Sequence, residues 1–370
     1  LDLITESDAV IWSLTLAGSL AIAGGAGGGT AISATGAISV NTVANTLESY
    51  IAAGSIVVTS NNGAVTLIAD DSVLIMANAG GGAFSGSGGA GGGTSIAIGA
   101  SVAVNTIADT VKAYISASTV NADGALIMEA ESNAIIWSLT LSGSGSVAGG
   151  AGGGTSIAAA GAFAINTVDN TIEVSIKEDS TVSTSNGGTI TLSAENNALI
   201  LANAGGVAFA GAGGAGGGLA GSIGASLAVS TITNSTRATI AGSTVTAAGE
   251  VDISAISNAS IWSLTIAGSA AVSGGAGGGI SGSVAGAVSI NTVANTVEAA
   301  VINEVADRSI LTLTNGGLRL SAIDNSIILG SAGGLSVAGA FGAGGGIAVS
   351  VGVSVAVNTI ANEIRAHIRL

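Results

Sequence analysis

The block GGAGGG occupies Gly24–Gly29 and returns at Gly88–Gly93, Gly149–Gly154, Gly213–Gly218 and Gly274–Gly279, with a variant, FGAGGG, from Phe341. Successive starts are 64, 61, 64, 61 and 67 residues apart. A second phrase keeps the same beat: NTVANT from Asn41, NTIADT from Asn105, NTVDNT from Asn166, STITNS from Ser230, NTVANT from Asn291 and NTIANE from Asn358. The phrase IWSLT begins at Ile11, Ile136 and Ile261, so two half-repeats of about 62 residues form a unit of 125. Units this short bury their apolar faces on their neighbours. The chain therefore reads as one continuous array over 1–370, in three units (1–125, 126–250 and 251–370), and as part of a longer chain or filament.

Within each half-repeat the pattern is strand. GALIMEA, GTITLSA, EVDISAI and VEAAVI are short and β-branched, with NNG, ADG and NGG between them. Gly and Thr are frequent and no 3.6-residue stripe persists, so helix is excluded. Hydrophobic residues are 48% of the chain but aromatics only 2%, too few for the aromatic girdles of a transmembrane barrel. Gly/Ala runs also lack the volume for a string of separate sandwich domains. The fold expected is all-β: a repetitive β-solenoid, parallel β-helix-like, built as a rod. Stacked long β-hairpins turning at the glycine blocks are the alternative. With three coils per half-repeat, about eighteen coils would make a rod on the order of 85 Å long.

The glycine blocks then need a reason, because ordering glycine costs roughly 0.5–1 kcal/mol per residue relative to Ala. A Gly/Ala run in a strand clears side chains from both faces and lets another sheet approach nearer than the usual ~10 Å. Gly24, Gly88, Gly149, Gly213 and Gly274 head five such blocks and are expected to be close-packing glycines. A Walker-type phosphate loop is excluded, since GGAGGGT lacks the closing Lys and precedes no helix. The calcium-binding nonapeptide is excluded too, because Thr, Leu or Ile follows the glycines where that motif needs Asp.

Asn41, Asn105, Asn166, Asn291 and Asn358 form a ladder expected at a coil corner, with side chains bonded along the axis. The positions four residues on, Asn45, Asp109, Asn170, Asn234, Asn295 and Asn362, belong to the same corner. Trp12, Trp137 and Trp262 share one repeat phase and read as strand residues covering the end of a sheet, ahead of a sugar-stacking platform. Asp70, Asp71, Glu178 and Asp179 read as solvated turns, with adventitious Ca²⁺ the alternative. No catalytic, cofactor or metal residue is assigned. His367 is the single histidine, there is no Cys, and the seven Lys+Arg are dispersed, so an enzyme is not expected.

The balance of 22 Asp+Glu against 7 Lys+Arg, a formal charge of −15, argues against nucleic acid as a partner. Polar residues interrupt every apolar run, so no membrane-spanning helix of about 20 residues is expected. LDLITESDAV has neither the basic nor the apolar region of a signal peptide.

The run SVAVNTIADTVKAYISASTVNADGALIMEAES (Ser101–Ser132) resembles repeats of giant bacterial surface proteins of the filamentous-haemagglutinin and leukotoxin-like adhesin type. STRATIAGSTVTAAGEVDISAISNASI (Ser235–Ile261) follows the same order of phrases, and the likeness runs through all six half-repeats. The resemblance implies an exported fibrous β-solenoid, extracellular or on a bacterial cell surface. Two functions follow. One is a structural fibre or biofilm-matrix element whose partner is itself, end to end and through Gly/Ala-rich faces. The other is the stalk of an adhesin whose binding domain, for a host or abiotic surface, lies elsewhere.

Two local expectations complete the reading. The 67-residue spacing places a surface bulge at Glu304–Arg308, since solenoid insertions map to loops. Leu1 and Leu370 fall mid-pattern without caps, so the array is expected to continue axially through both.

Overall fold

The computed structural model describes residues 1–303 and 308–370. Among them the chain is a parallel β-solenoid. The first coil comprises β1 (Asp2–Gly24), β2 (Gly29–Val43), β3 (Thr46–Ile51) and β4 (Ile56–Val58), and the second β5 (Val65–Gly88), β6 (Gly93–Ile107), β7 (Thr110–Ser116) and β8 (Thr119–Ala122). Each strand pairs in parallel with its counterpart one coil away: β1 with β5, β2 with β6, β3 with β7 and β4 with β8. Four sheets result: a long one, a facing one, a short one and a closing one.

This pairing separates the solenoid from the hairpin alternative. The chain reverses at each glycine block, but β5 and β6 do not bond to each other; they belong to different sheets. The coil count differs from expectation. One half-repeat is one coil, and the facing sheet has 6 strands, so the stack rises only about 29 Å at ~4.8 Å per coil. The strands are far longer than the sequence suggests, 24 residues in β5 and 15 in β6. In-register neighbours on both sides pair the backbones of the inner coils, and this overrides the weak strand propensity of Gly, Ala and Ser.

The cross-section tapers. At the wide end, Val65, Leu67, Val111, Ile115, Val120, Leu126 and Met128 form a closely packed core. Toward the glycine turn the inward residues shrink to Ala clusters such as Ala158, Ala160, Ala208 and Ala210. Hydroxyls meet across the sheets there, as Ser85 and Ser95 do at 2.6 Å. Length variation is confined to the wide end. The link before the long strand runs from Val58 to Val65 in the first coil but only from Ala122 to Leu126 in the second. The bulge expected at Glu304–Arg308 falls on residues 304–307, outside the described residues.

Candidate functional surfaces

The glycine blocks are turns. Gly25–Gly28 link β1 to β2, and Gly92 holds φ of +94°, a conformation only glycine adopts freely. A Cβ on Gly92 would stand 2.4 Å from the carbonyl oxygen of Gly153 in the next coil. Gly24, Gly88, Gly149, Gly213 and Gly274 are different. They end the long strands, and a Cβ on any of them would meet a neighbouring carbonyl oxygen at an ordinary 3.4–3.5 Å. In the sixth coil Phe341 fills that position. The reading of these five as close-packing surfaces is therefore corrected: the blocks form the narrow edge of the solenoid.

The close approach of sheets lies elsewhere, inside the arm. A Cβ on Gly81 would come within 2.3 Å of the Ala100 oxygen on the facing sheet. Gly206 against Ala225 (2.2 Å) and Gly224 against Gly268 (2.0 Å) repeat the arrangement. The two backbones touch with no room for a methyl group.

Asn41 and its counterparts sit within the facing strands and point inward, not at a corner. Asn41 Nδ2 donates to Asn105 Oδ1, and Asn105 Nδ2 to Asn166 Oδ1, each at 2.8 Å. Asn291 Nδ2 donates to Asn358 Oδ1 at 2.8 Å. Ser230 interrupts the row, and Asn166 Nδ2, Asn291 Oδ1 and Ser230 Oγ are all buried without a partner. The corner belongs to the second set. Asn45 N–H donates to Asp109 Oδ1, Asp109 N–H to Asn170 Oδ1 and Asn170 N–H to Asn234 Oδ1. Each side chain thus supplies the acceptor that the bend denies to its neighbour's backbone.

Asp70 and Asp71 lie in β5, not in a turn. Asp71 is fully buried, its Oδ1 accepting from Asn45 Nδ2 at 3.1 Å. Burial and the neighbouring Asp71 push Asp109 up to about 7, although the bond from Asn45 N–H pulls the other way. Asp70 points outward in a column with Glu6, Glu131 and Glu195. Its carboxyl is raised by partial burial and by repulsion from Glu131, Glu6, Asp8 and Asp71. Glu178 and Asp179 do lie in a turn, with φ of 55° and 54°.

Folding also gathers charges that look dispersed in the sequence. On the short sheet, Glu48, Lys112, Glu173, Arg237, Glu298 and Arg365 form one column of alternating sign. Arg237 Nε lies 3.6 Å from Glu298 Oε2. The signal was present as one charge at a fixed place in each half-repeat, but its use required the register.

The outer faces of the arm are apolar, the reverse of its Ala/Ser interior. No charged residue occurs between Asp8 and Glu48, Asp71 and Asp109, Glu131 and Asp169, Glu195 and Arg237, Asp252 and Glu298, or Asp324 and Glu363. Trp12, Trp137 and Trp262 do not cover a sheet end. They stand outward mid-strand, 74%, 50% and 52% exposed, beside Leu14, Leu139 and Leu264.

Among the described residues no group of three or more His, Cys, Asp or Glu converges as metal ligands, and no helix is long and apolar enough to cross a membrane. The class established is a parallel β-solenoid with one coil per half-repeat. Comparison with family models, curated proteins and solved structures finds no match for this chain.

Proposed function

We propose that this chain is a structural segment of an extracellular or bacterial cell-surface fibre, in which the repeat itself is the function. The observation that carries this reading is the repetition of the same ladders along the axis, broken only at Ser230 in the inward row. Inward polar groups, corner acceptors and alternating charges keep one place in each coil, so one coil is a template for the next. The final coil presents Asn358, Asn362 and Arg365, and the first presents Asn41, Asn45 and Glu48. A further coil, from the same polypeptide or another copy, would extend all three rows, Glu meeting Arg. The exterior location rests on the resemblance to surface-protein repeats.

Electron microscopy of the purified chain tests this. Rods of constant cross-section with lengths in steps of about 29 Å are expected, from ~4.8 Å per coil. Particles that stay one chain long at all concentrations overturn it.

A further inference from the structure

Two apolar faces stand back to back on the arm. On the facing sheet every outward position over Ile32–Val40 and its counterparts is Gly, Ala, Val, Ile, Leu or Phe. On the long sheet, over Trp12–Leu20 and its counterparts, the outward polar residues are Asn78, Asn203 and Ser331, all in the row next to the Trp. The two stretches are level. Ser13 Oγ meets Ser39 Oγ at 2.8 Å across the sheets, setting Trp12 beside Val40, and Ser19 Oγ meets Ser33 Oγ at 2.6 Å, setting Leu20 beside Ile32. Each face is thus about 30 Å tall and 29 Å wide, roughly 850 Å², at ~3.3 Å per residue and ~4.8 Å per coil. The largest apolar patch on a typical soluble monomer is ~300–600 Å². Toward the wide end the band stops at Thr42, Thr106, Thr167, Thr231, Thr292 and Thr359 on one face and at the Trp row on the other. The acidic column of Glu6, Asp70, Glu131 and Glu195 stands a further ~20 Å out. At the opposite end the glycine turns line a shallow groove with backbone.

We propose that the arm inserts into a lipid bilayer, strands along the membrane normal, with the glycine turns at the far headgroups and the acidic wide end in water. The proposal takes from the fibre reading only that further coils cover the two open sheet edges, because hydrocarbon does not tolerate an unpaired edge. Four observations select a bilayer. The fully apolar stretch of about 30 Å equals the hydrocarbon core, and the ~43 Å from Trp12 to Gly24 equals the bilayer with its headgroups. Both faces are apolar at the same height, so a protein seated on one would leave the other in water, whereas lipid covers both at once. Trp12, Trp137 and Trp262 mark the boundary between the band and the charged end, where a membrane–water interface favours Trp. The groups costly in lipid are turned inward or absent: hydroxyls pair between the sheets, and no charged side chain lies between Asp71 and Asp109 or in the matching stretches. A single Trp row thus stands where a closed barrel carries two girdles, and strands cross where the sequence offers no helix.

Flotation tests the proposal: the full chain, held in detergent, is diluted into phosphatidylcholine vesicles, beside Val207→Asp, Ile223→Asp and Thr181→Asp variants. Val207 and Ile223 are exposed at one height on opposite faces of the fourth coil, since Ser222 Oγ meets the Oγ of Ser269, the next-coil neighbour of Ala208, at 2.7 Å. Thr181 is exposed on the closing sheet at the wide end. Wild type is expected to float. Each mid-band Asp should lower partitioning at least ~10-fold, and Thr181→Asp should leave it unchanged. Circular dichroism in detergent verifies the fold. Bromines beside the lipid headgroup should quench the Trp fluorescence more than bromines at the chain ends, a wild-type measurement that needs no variant. Wild type left in the aqueous fraction, or deeper quenching, overturns the proposal. So does loss of flotation in only one of the two Asp variants, which would assign that face to a second copy of the chain. Microscopy separates this from the fibre reading. Rods that lengthen in water but never float sink the bilayer alone, and floated particles that stay one chain long sink axial growth alone.

Discussion

The backbone N–H of Asn45 donates to Asp109 Oδ1 at 2.6 Å, while Asp109 Oδ2 is buried with no partner beside the equally buried Asp71. At this corner every other coil has Asn: Asn45, Asn170, Asn234, Asn295 and Asn362. A raised carboxyl binds its proton more tightly folded than unfolded. Its contribution is therefore complete below the unfolded value near 3.8 and is lost as pH rises through about 7. The melting temperature is expected to fall between pH 4 and pH 8. Asp109→Asn keeps the acceptor for Asn45, so it should stabilise the protein at neutral pH and flatten the pH profile. A wild-type decline left intact in Asp109→Asn would show that other groups cause it.

Ser230 leaves an amide hydrogen on one side and an amide oxygen on the other unpaired. Ser230→Asn would place a side chain between Asn166 Nδ2 and Asn291 Oδ1 and restore the row. Two recovered buried bonds are expected to stabilise by roughly 1–2 kcal/mol, read from denaturant midpoints. Destabilisation would mean that the fourth coil has no room for the longer side chain.

Glycines of the same arm should differ sharply. Gly206→Ala drives a methyl group to 2.2 Å from the Ala225 oxygen, whereas a Cβ on Gly221 meets nothing within 4 Å. Gly206→Ala should destabilise by about 1–3 kcal/mol or more, and Gly221→Ala by less than ~1. Thermal melts of the two single variants, side by side, decide this. Equal effects would mean that the sheets can separate.

Insertions should be tolerated by position. A three-residue Gly/Ser insertion after Asn186, in the link between Thr184 and Ile190, is expected to leave melting nearly unchanged. The same insertion after Ala215 would break the bond from Gly216 N–H to the Ala151 carbonyl and put the stacked turns out of register. It should lower the melting temperature markedly, and proteolysis should then begin at the turn.

The repeat period, the all-β class and the choice of a solenoid follow from the sequence because each half-repeat must offer its neighbour the same residues at the same places. The recurring Asn, Thr and Ile therefore appear as phrases. Coil size does not follow. Interruptions such as MANAGGGAFSG read locally as strand ends, yet β5 runs through all of them because β1 on one side and its third-coil counterpart on the other bond its backbone. Nor does the direction of a side chain follow where both kinds of neighbour are small. Asn41 and Asn45 look alike as corner residues in NTVANT, but only the bend after Val43 places one inside a strand and the other at the corner. The same holds for glycine. The sequence marks where side chains are missing, and the meeting of two sheets determines which absences are required, because a carbonyl 2.3 Å from a Cβ at Gly81 belongs to a residue on another sheet.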